Sequence, residues 1–273
     1  MQAREKPHVK KNQVSEAKAI LTDGLEVTYK IAGLGPPILI LHGWGSSSDS
    51  WSAILELLGQ RGFQAIIPDL PGFGKTVAPQ TVWGVEEYAH FAGKFADSLG
   101  LQKFVLLGHS FGGQTAVHFA AHHPEKIAKL ILFAPAIVRK NPGPKEFMLK
   151  YFAKLIGLLL YALPFEDLRN NIRSALYMII KRRDYVKTQG IMREVFQKVI
   201  RQDVSALCSS ITAPTLLLWG DKDRATPLKD AHTIKEKISG AVLQVIAAQG
   251  HNLHFAMPDQ LVKYIVNFCY SKK

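Results

Sequence analysis

The sequence predicts an α/β fold, in which helices flank a mostly parallel central β-sheet and a helical insertion interrupts the core. Short apolar runs alternate along most of the chain with amphipathic helical patterns, and strands that are apolar throughout are typical of a parallel sheet buried on both faces. Several runs end directly in a polar motif, and sheets of this kind gather their functional groups at the carboxyl ends of the strands. The alternation stops over residues 136–209, which predicts the insertion.

Length and charge set the outer bounds. A chain of 273 residues can bury one large core. Its net charge is +12, and residues 139–205 contain 14 Lys and Arg against 6 Asp and Glu, so much of the excess is local. Such a region is compatible with a solvated surface, with attraction to anionic lipid or polymer, and with steering of acidic substrates. The sequence has no zinc-ligand spacing and no RNA-binding aromatic signature, so we expect no nucleic-acid partner.

The compartment is predicted from the apolar runs and the cysteines. Residues 1–18 are polar and basic, and the longest apolar run, Leu155 to Leu163, is far shorter than the roughly 20 residues of a membrane-spanning helix. Cys208 and Cys269 are the two cysteines of the sequence, and a reduced compartment is the simpler interpretation. We therefore expect a cytoplasmic protein.

The elements follow in order along the chain. We expect a flexible basic arm over residues 1–17 and an α/β core over residues 18–135 and 210–273. Apolar runs predict strands at residues 19–21, 25–31, 38–41, 65–67, 104–107, 128–133, 215–219 and 242–247. Helical spacing predicts helices at residues 50–58, 83–99, 114–120, 228–238 and 258–270.

The insertion over residues 136–209 has the pattern of about three amphipathic helices. The apolar positions at helical spacing are Phe147, Tyr151, Leu155 and Leu159, then Leu168, Ile172, Leu176 and Ile180, then Val195 and Val199. Most of these side chains are needed to pack the insertion on the core, and a minority would line an apolar pocket.

The turn around Ser110 carries the strongest functional signal. An apolar run, Phe104 to Leu107, leads into Gly108-His109-Ser110-Phe111-Gly112-Gly113, and a helical pattern follows. A serine at the apex of such a turn needs glycine on both sides, because strand and helix pass too close for a Cβ atom and the serine backbone is strained. The first helical N–H groups lie behind the serine oxygen, which suits a nucleophile and an oxyanion.

Two further polar motifs follow predicted strands. Trp219 leads into Gly220-Asp221-Lys222-Asp223, and Ala247 leads into Ala248-Gln249-Gly250-His251. The chain order of the candidates is therefore serine, aspartate, histidine.

Together with His42-Gly43 and Asp69-Leu70-Pro71-Gly72-Phe73-Gly74, these motifs resemble the α/β-hydrolase fold superfamily over nearly the whole chain. The resemblance is to lidded, carboxylesterase-like serine hydrolases. It implies that Ser110 is the nucleophile, His251 the base and acid, and Asp223 the carboxylate that orients His251. It also implies an oxyanion hole made by the backbone N–H groups of Trp44 and Phe111, and no metal or organic cofactor.

Several residues compete with these assignments. Asp221 is a rival to Asp223, although the spacing from Gly220 in the family favours Asp223 and Asp221 suits a turn or cap. His254 is a rival to His251, but only His251 directly follows Gly250. We expect His42 and His109 to be structural, with side chains satisfied inside the fold. Trp44 is equally compatible with lining the acyl pocket and with ordinary packing.

In the resembled family, an insertion at this point forms a lid that sets substrate choice. We expect a small-molecule ester substrate with a medium-length acyl chain or an aromatic group. Lys150, Lys154 and Arg169 flank the run Leu155 to Leu163 and would also allow contact with a membrane surface. Oligomeric state has no signal in the sequence.

The main hypothesis is a serine hydrolase that cleaves carboxylic esters, with lactones and thioesters as further substrates. A serine at the elbow argues against haloalkane dehalogenases and epoxide hydrolases of this fold, which use aspartate there. A carbon–carbon bond hydrolase of the ring-cleavage-product type remains open, with Arg169, Arg173 and Arg193 as candidates to hold a dienoate carboxylate. An aminopeptidase and a cofactor-free haloperoxidase are further alternatives. A non-turnover receptor on the same fold is the alternative from another class.

Overall fold

The computed structural model describes residues 13–139 and 189–271, and these residues contain an eight-stranded sheet. The strands are β1 (Ser15–Ile20), β2 (Glu26–Ala32), β3 (Pro37–Leu41), β4 (Gln64–Pro68), β5 (Phe104–His109), β6 (Ile127–Phe133), β7 (Thr215–Gly220) and β8 (Val242–Ile246). Their spatial order is β1-β2-β4-β3-β5-β6-β7-β8. β2 is antiparallel to β1 and β4, and all pairs from β4 to β8 are parallel.

Helices flank the sheet. Numbered within the described residues, they are α1 (Ser52–Gln60), α2 (Val85–Ser98), α3 (Phe111–His122), α4 (Ile191–Val199), α5 (Leu228–Lys237), the short α6 (Leu253–Ala256) and α7 (Pro258–Tyr270). α1 packs against α7, whereas α2 packs against α3 and α5 against the 3₁₀ turn Ser205–Ser210. Every residue of β5 is buried, as expected for a strand with neighbours on both sides and helices on both faces.

The strand order reverses direction at the middle of the sheet. From β3 the chain moves outward to β4, then returns to form β5 on the other side of β3 and continues to β8. Such a switch point leaves a crevice at the carboxyl ends of the two central strands, where open α/β sheets bind ligands. The loops after β3 and β5 contain the motifs at His42 and Ser110, and Leu41 pairs with Gly108 at this edge.

The predicted fold class is confirmed, with shifts of a few residues at the element ends. α3 begins at Phe111 rather than Gln114 because its glycine-rich first turn has little apolar pattern. The end of the predicted arm is wrong, since Ser15, Glu16 and Ala17 pair with β2. The charges that make this segment look like an arm are those of an exposed edge strand: Lys18 pairs with Glu26, and Glu16 with Lys75.

The insertion is described only at its two ends. The helical spacing of Val195 and Val199 is confirmed by α4, where both side chains are buried. The first two predicted helices, with Phe147 to Ile180, lie outside the described residues, as do the candidate membrane segment around Leu155 and most of the predicted arm. Cys208 and Cys269 are free thiols, and burial raises the pKa of each to about 11. Within the described ranges, no helix is both long and apolar enough to span a bilayer.

Candidate active site

Ser110 occupies a strained turn between β5 and α3. Its backbone has φ 52° and ψ −114°, a combination that costs roughly 1–3 kcal/mol and persists only where the surroundings enforce it. A Cβ atom on Gly112 would lie 2.0 Å from the carbonyl oxygen of Leu41, and one on Gly108 would lie 2.5 Å from that of Gly112. The turn therefore requires glycine at both positions, as its sequence predicts, and Ser110 is left partly exposed at the crevice.

Asp223 and His251 meet across the loops that follow β7 and β8. The Nδ1 atom of His251 lies 2.7 Å from Oδ2 of Asp223, whose side chain is fully buried, while the imidazole side chain is 19% exposed. Burial by itself raises the pKa of Asp223, but the hydrogen bond and charge of His251 and the N–H and O–H of Thr226 outweigh it and hold this pKa below its ordinary value. The carboxylate therefore fixes the Nδ1–H tautomer of the imidazole, which leaves Nε2 as the proton acceptor.

Thr226 completes the support of the carboxylate. Its hydroxyl donates to Oδ2 of Asp223 at 2.9 Å, and its backbone N–H donates to Oδ1 at 2.9 Å, beside the N–H of Ala225 at 2.8 Å. The Thr226 carbonyl accepts a hydrogen bond from the indole of Trp219 at 2.7 Å. Sequence reasoning missed this residue, although a Thr three residues after an Asp and directly before Pro is a recognisable turn pattern.

His109 brings the His251 loop next to the Ser110 turn. Nε2 of His109 lies 3.1 Å from the carbonyl oxygen of His251, and the two rings are 4.9 Å apart. Because His109 directly precedes Ser110, the nucleophile candidate and the base candidate are neighbours. Ser110 Oγ makes no hydrogen bond to His251 within the described residues, and such contacts often tighten only when substrate binds.

The loop after β3 lies against the Ser110 turn. A Cβ atom on Gly43 would be 3.3 Å from the Cβ atom of Ser110, and the ring of Trp44 is 5.5 Å from that of Phe111. The backbone N–H of Trp44 has no backbone acceptor in the described part of the chain. Phe111 is the first residue of α3, and the first N–H groups of a helix have no partner within it. Both groups are thus available as donors to a developing oxyanion.

His42 stabilises this loop through hydrogen bonds of its imidazole ring. Its Nδ1 donates to the carbonyl oxygen of Gly43 at 2.9 Å, and its Nε2 accepts from the N–H of Leu70 at 3.0 Å. The side chain is fully buried, and burial lowers the pKa of His42 to about 4, so the ring is neutral. It is a satisfied core histidine, as expected from the sequence.

Asp69 holds the same region through the backbone. Its two carboxylate oxygens accept from the N–H of Ser48 at 2.7 Å and from the N–H of Lys75 at 2.8 Å. Gly74 has φ 55°, and a Cβ atom there would lie 2.2 Å from the Asp69 carboxylate. The aspartate and the glycine of this motif therefore serve to shape the loop.

Aromatic side chains surround Trp44. Its ring is 4.9 Å from Phe73, 5.5 Å from Phe111 and 4.9 Å from Phe196 on α4. These rings form an apolar surface beside the Ser110 turn, which we call the aromatic wall (Trp44, Phe73, Phe111 and Phe196). Phe196 was missed in the sequence, where only the helical spacing of Val195 and Val199 marks α4.

Neither rival residue takes the place predicted for Asp223 or His251. Among the described residues, Oδ1 of Asp221 is buried without a hydrogen-bond partner, and Asp221 does not bond His251. His254 is 3% exposed and stacks on Trp51 with ring centroids 4.6 Å apart, and its two ring nitrogens have no partner in the described part of the chain. The ring of His109 bonds the His251 carbonyl, but its Nδ1 has no partner within residues 13–139 and 189–271, so this side chain is only half satisfied there. Arg193 is exposed on α4, whereas Arg169 and Arg173 lie outside the described residues.

Metal ligands are not grouped near the crevice. Within residues 13–139 and 189–271, no three His, Cys, Asp or Glu side chains are arranged to hold a metal ion.

Comparisons with known proteins agree with this architecture. The chain is 29% identical to 2-hydroxy-6-oxo-6-phenylhexa-2,4-dienoate hydrolase from Comamonas testosteroni, over 89% of this chain and 90% of that protein. It is 27% identical to a non-heme haloperoxidase from Rhodococcus erythropolis, over 90% and 97%. The structure of an esterase from Exiguobacterium antarcticum superimposes with a TM-score of 0.73 at 22% identity, over 94% of this chain and all of that one. The sequence model of the alpha/beta hydrolase fold matches residues 36–258, and the chain is therefore an enzyme of the α/β-hydrolase family.

Proposed function

We propose that this enzyme is a serine hydrolase that cleaves carboxylic esters through an acyl-enzyme on Ser110. The observation that carries the proposal is the bond between Asp223 and His251 at 2.7 Å, beside a strained serine that the fold holds at the carboxyl end of β5. A serine hydroxyl is a weak nucleophile at neutral pH and needs a base within reach. An Asp-supported imidazole next to it supplies that base.

The proposed acylation step uses three groups of this chain. Oγ of Ser110 attacks the ester carbonyl carbon while its proton passes to Nε2 of His251. The negative charge on the carbonyl oxygen is met by the N–H groups of Trp44 and Phe111, each worth roughly 10²- to 10³-fold in rate. The C–O bond to the alcohol then breaks, and the alcohol leaves with the proton from His251.

Deacylation repeats the sequence with water. His251 removes a proton from water as the oxygen attacks the acyl carbon, and the bond between this carbon and Ser110 Oγ breaks as the proton returns to Ser110. The carboxylic acid is released. Asp223 stays ionised throughout and stabilises the imidazolium that forms in each step.

The aromatic wall supports an apolar acyl group. Its rings come from four separate parts of the chain and meet at Trp44, beside the Ser110 turn. Because Phe196 belongs to α4, the end of the insertion contributes to this surface, in agreement with a lid that takes part in substrate choice. A medium-length aliphatic or an aromatic acyl group fits such a surface.

A carbon–carbon bond hydrolase is the second candidate, because the relative from Comamonas testosteroni bears the name of a dienoate hydrolase and matches along nearly the whole chain. The same serine, histidine and aspartate would serve this reaction. A carbon–carbon bond hydrolase needs cationic groups that bind the dienoate carboxylate. Of the three candidate arginines, Arg193 lies on an exposed surface of α4.

Initial rates on p-nitrophenyl esters from acetate to laurate, together with a dienoate, test the proposal. We expect ester turnover in the wild type with an optimum at medium chain length, and a loss of roughly 10⁴- to 10⁶-fold in Ser110→Ala. Ser47→Ala is the matched control, since Ser47 lies in the loop after β3 and its side chain makes no capping hydrogen bond. Turnover of the dienoate alone would favour the second candidate, and equal ester rates in wild type and Ser110→Ala would refute both.

A further inference from the structure

A buried amide on the nucleophile helix reaches across to the insertion. Gln114 lies one turn after Ser110 in α3, and its N–H donates to the Ser110 carbonyl at 3.1 Å. Its side chain is fully buried. Nε2 of Gln114 donates to the carbonyl oxygen of Gln202 at 2.7 Å and lies 3.5 Å from that of Val199. The end of α4 is thus attached directly to the helix that begins at the nucleophile.

Arg139 attaches the other end of the insertion to the same point. Its Nη2 donates to Oε1 of Gln114 at 2.8 Å, and its Nε donates to the carbonyl oxygen of Gln202 at 3.1 Å. Its backbone N–H donates to Oδ2 of Asp203 at 2.8 Å. A guanidinium at the carboxyl end of a helix also interacts favourably with the unpaired carbonyl groups there. Both ends of the insertion therefore meet on one side chain, Gln114.

The helix held in this way carries part of the aromatic wall. Phe196 is one turn before the end of α4 and packs on Trp44 at 4.9 Å. Met192, one turn earlier, lies so close to Gly72 that a Cβ atom there would be 2.3 Å from its Sδ atom. A small rotation of α4 about its end would move both side chains relative to Ser110.

Another polar contact of α4 involves more exposed side chains. Lys198 pairs with Glu87 at 2.9 Å, and their side chains are 39% and 42% exposed. Ion pairs between side chains as exposed as these contribute little to the stability of the fold. Among these polar contacts, those of the fully buried Gln114 are the stronger restraint on the end of α4.

We propose that Gln114 and Arg139 are positioning residues that fix the place of α4, and with it the Phe196 side of the aromatic wall, and thereby set the acyl-chain selectivity of the enzyme. This inference rests on the proposed ester hydrolysis. Neither side chain contacts the reacting atoms, so their effect reaches the substrate through Phe196 and Met192.

The first test is the effect of the isosteric change Gln114→Glu on selectivity. Glu keeps the acceptor for Arg139 but presents an oxygen to the carbonyl groups of Val199 and Gln202, so the direct bonds from residue 114 to the end of α4 are lost without leaving a cavity. We expect KM for the hexanoate and octanoate esters to rise about five- to tenfold, while kcat for the acetate ester stays within about twofold, because uniform acyl binding is lost and the chemistry is kept.

Arg139→Met should behave in the same way, and Arg139→Lys should recover part of the wild-type preference, since an ammonium can still donate to the carbonyl groups. Thr115→Val is the matched control. Thr115 is the buried neighbour of Gln114 on α3, and in the described part of the chain its hydroxyl bonds within that helix, to the Phe111 carbonyl at 3.2 Å. A selectivity profile that Gln114→Glu and Thr115→Val change alike, or that neither changes, would overturn the proposal.

Hydrogen exchange separates this inference from the proposed reaction. Amide exchange of residues 191–199 should accelerate at least tenfold in Gln114→Glu and Arg139→Met but not in Thr115→Val, while exchange in α5 is unchanged. This result needs no substrate. If the wild type hydrolyses no ester and α4 still exchanges faster in the two variants, the proposed function fails and the attachment stands. Unchanged exchange of residues 191–199 would refute the attachment itself.

Discussion

A histidine and an aspartate follow parallel strands in each half of the sheet, and the two halves use them differently. In the amino-terminal half, His42 and Asp69 give their polar atoms to backbone groups of the neighbouring loops. In the carboxyl-terminal half, Asp223 uses Oδ1 for backbone N–H groups, whereas its Oδ2 bonds the ring of His251 and the hydroxyl of Thr226. The side chains are identical, so their partners decide the role. One set shapes the loops, and the other leaves a supported imidazole nitrogen beside Ser110.

Asp223→Asn should have the largest effect on activity. The amide would favour the wrong tautomer of His251, and in the serine-protease triad this change lowers kcat by roughly 10⁴-fold. The two backbone N–H groups can still bond the amide oxygen, so we expect the unfolding midpoint to move little. Steady-state rates and urea unfolding measure the two quantities. A loss below about tenfold would contradict the role of Asp223.

Asp69→Asn should have the opposite profile. Its amide nitrogen would face the N–H of either Ser48 or Lys75, which leaves a buried donor unpaired at a cost of about 1–3 kcal/mol. We expect a lower free energy of unfolding, while the folded fraction keeps kcat within about tenfold of the wild type. A loss of kcat as large as that of Asp223→Asn, at unchanged stability, would show that the two aspartates do not differ in the way we describe.

His254→Phe should have the smallest effect at neutral pH, because both nitrogens of this buried ring lack hydrogen-bond partners among the described residues. Burial, together with the charge of nearby His251, lowers the pKa of His254 from 6.5 to about 4. Between pH 4 and 6.5 the unfolded chain therefore binds more protons at His254 than the folded chain does. The contribution of His254 to stability is complete above pH 6.5 and is lost as the pH falls towards 4.

Removing His254 should therefore flatten the dependence of unfolding free energy on pH by up to about 1.4 kcal/mol per pH unit between pH 6 and 4.5. His232→Phe is the control for the loss of an exposed imidazole on α5. Urea unfolding at several pH values gives the slopes. Parallel curves for wild type and His254→Phe would contradict a neutral buried His254.

Features that depend on residues close together in the chain can be predicted from the sequence. The apolar runs predict the strands because a strand buried on both faces has no polar position, and the glycines around Ser110 predict a turn that a Cβ atom would block. Exposed edge strands and flexible arms favour the same charged residues. The charges of Glu16 and Lys18 therefore predict an arm where the structure has an edge strand. The ends of elements shift where a helix begins without an apolar side chain, as α3 does.

Contacts between distant residues account for most of what the sequence leaves open. The amide of Gln114 bonds a carbonyl group 88 positions away, and a carbonyl group has no sequence signal of its own. The positions of Asp223 and His251 after two strands are predictable, whereas their hydrogen bond depends on the adjacency of β7 and β8. Phe196 joins the aromatic wall through the packing of α4, which no local pattern specifies.

Labelling with a fluorophosphonate, followed by intact mass and peptide analysis, tests the central claim most directly. Such reagents form a stable adduct with a serine that an adjacent base activates. The account predicts one adduct on Ser110 in the wild type and in Asp69→Asn, and none in Ser110→Ala. Labelling should be at least 10²-fold slower in His251→Ala and Asp223→Asn, in line with general-base catalysis. Equal labelling of wild type and Ser110→Ala, or a wild-type rate that His251→Ala leaves unchanged, would contradict it.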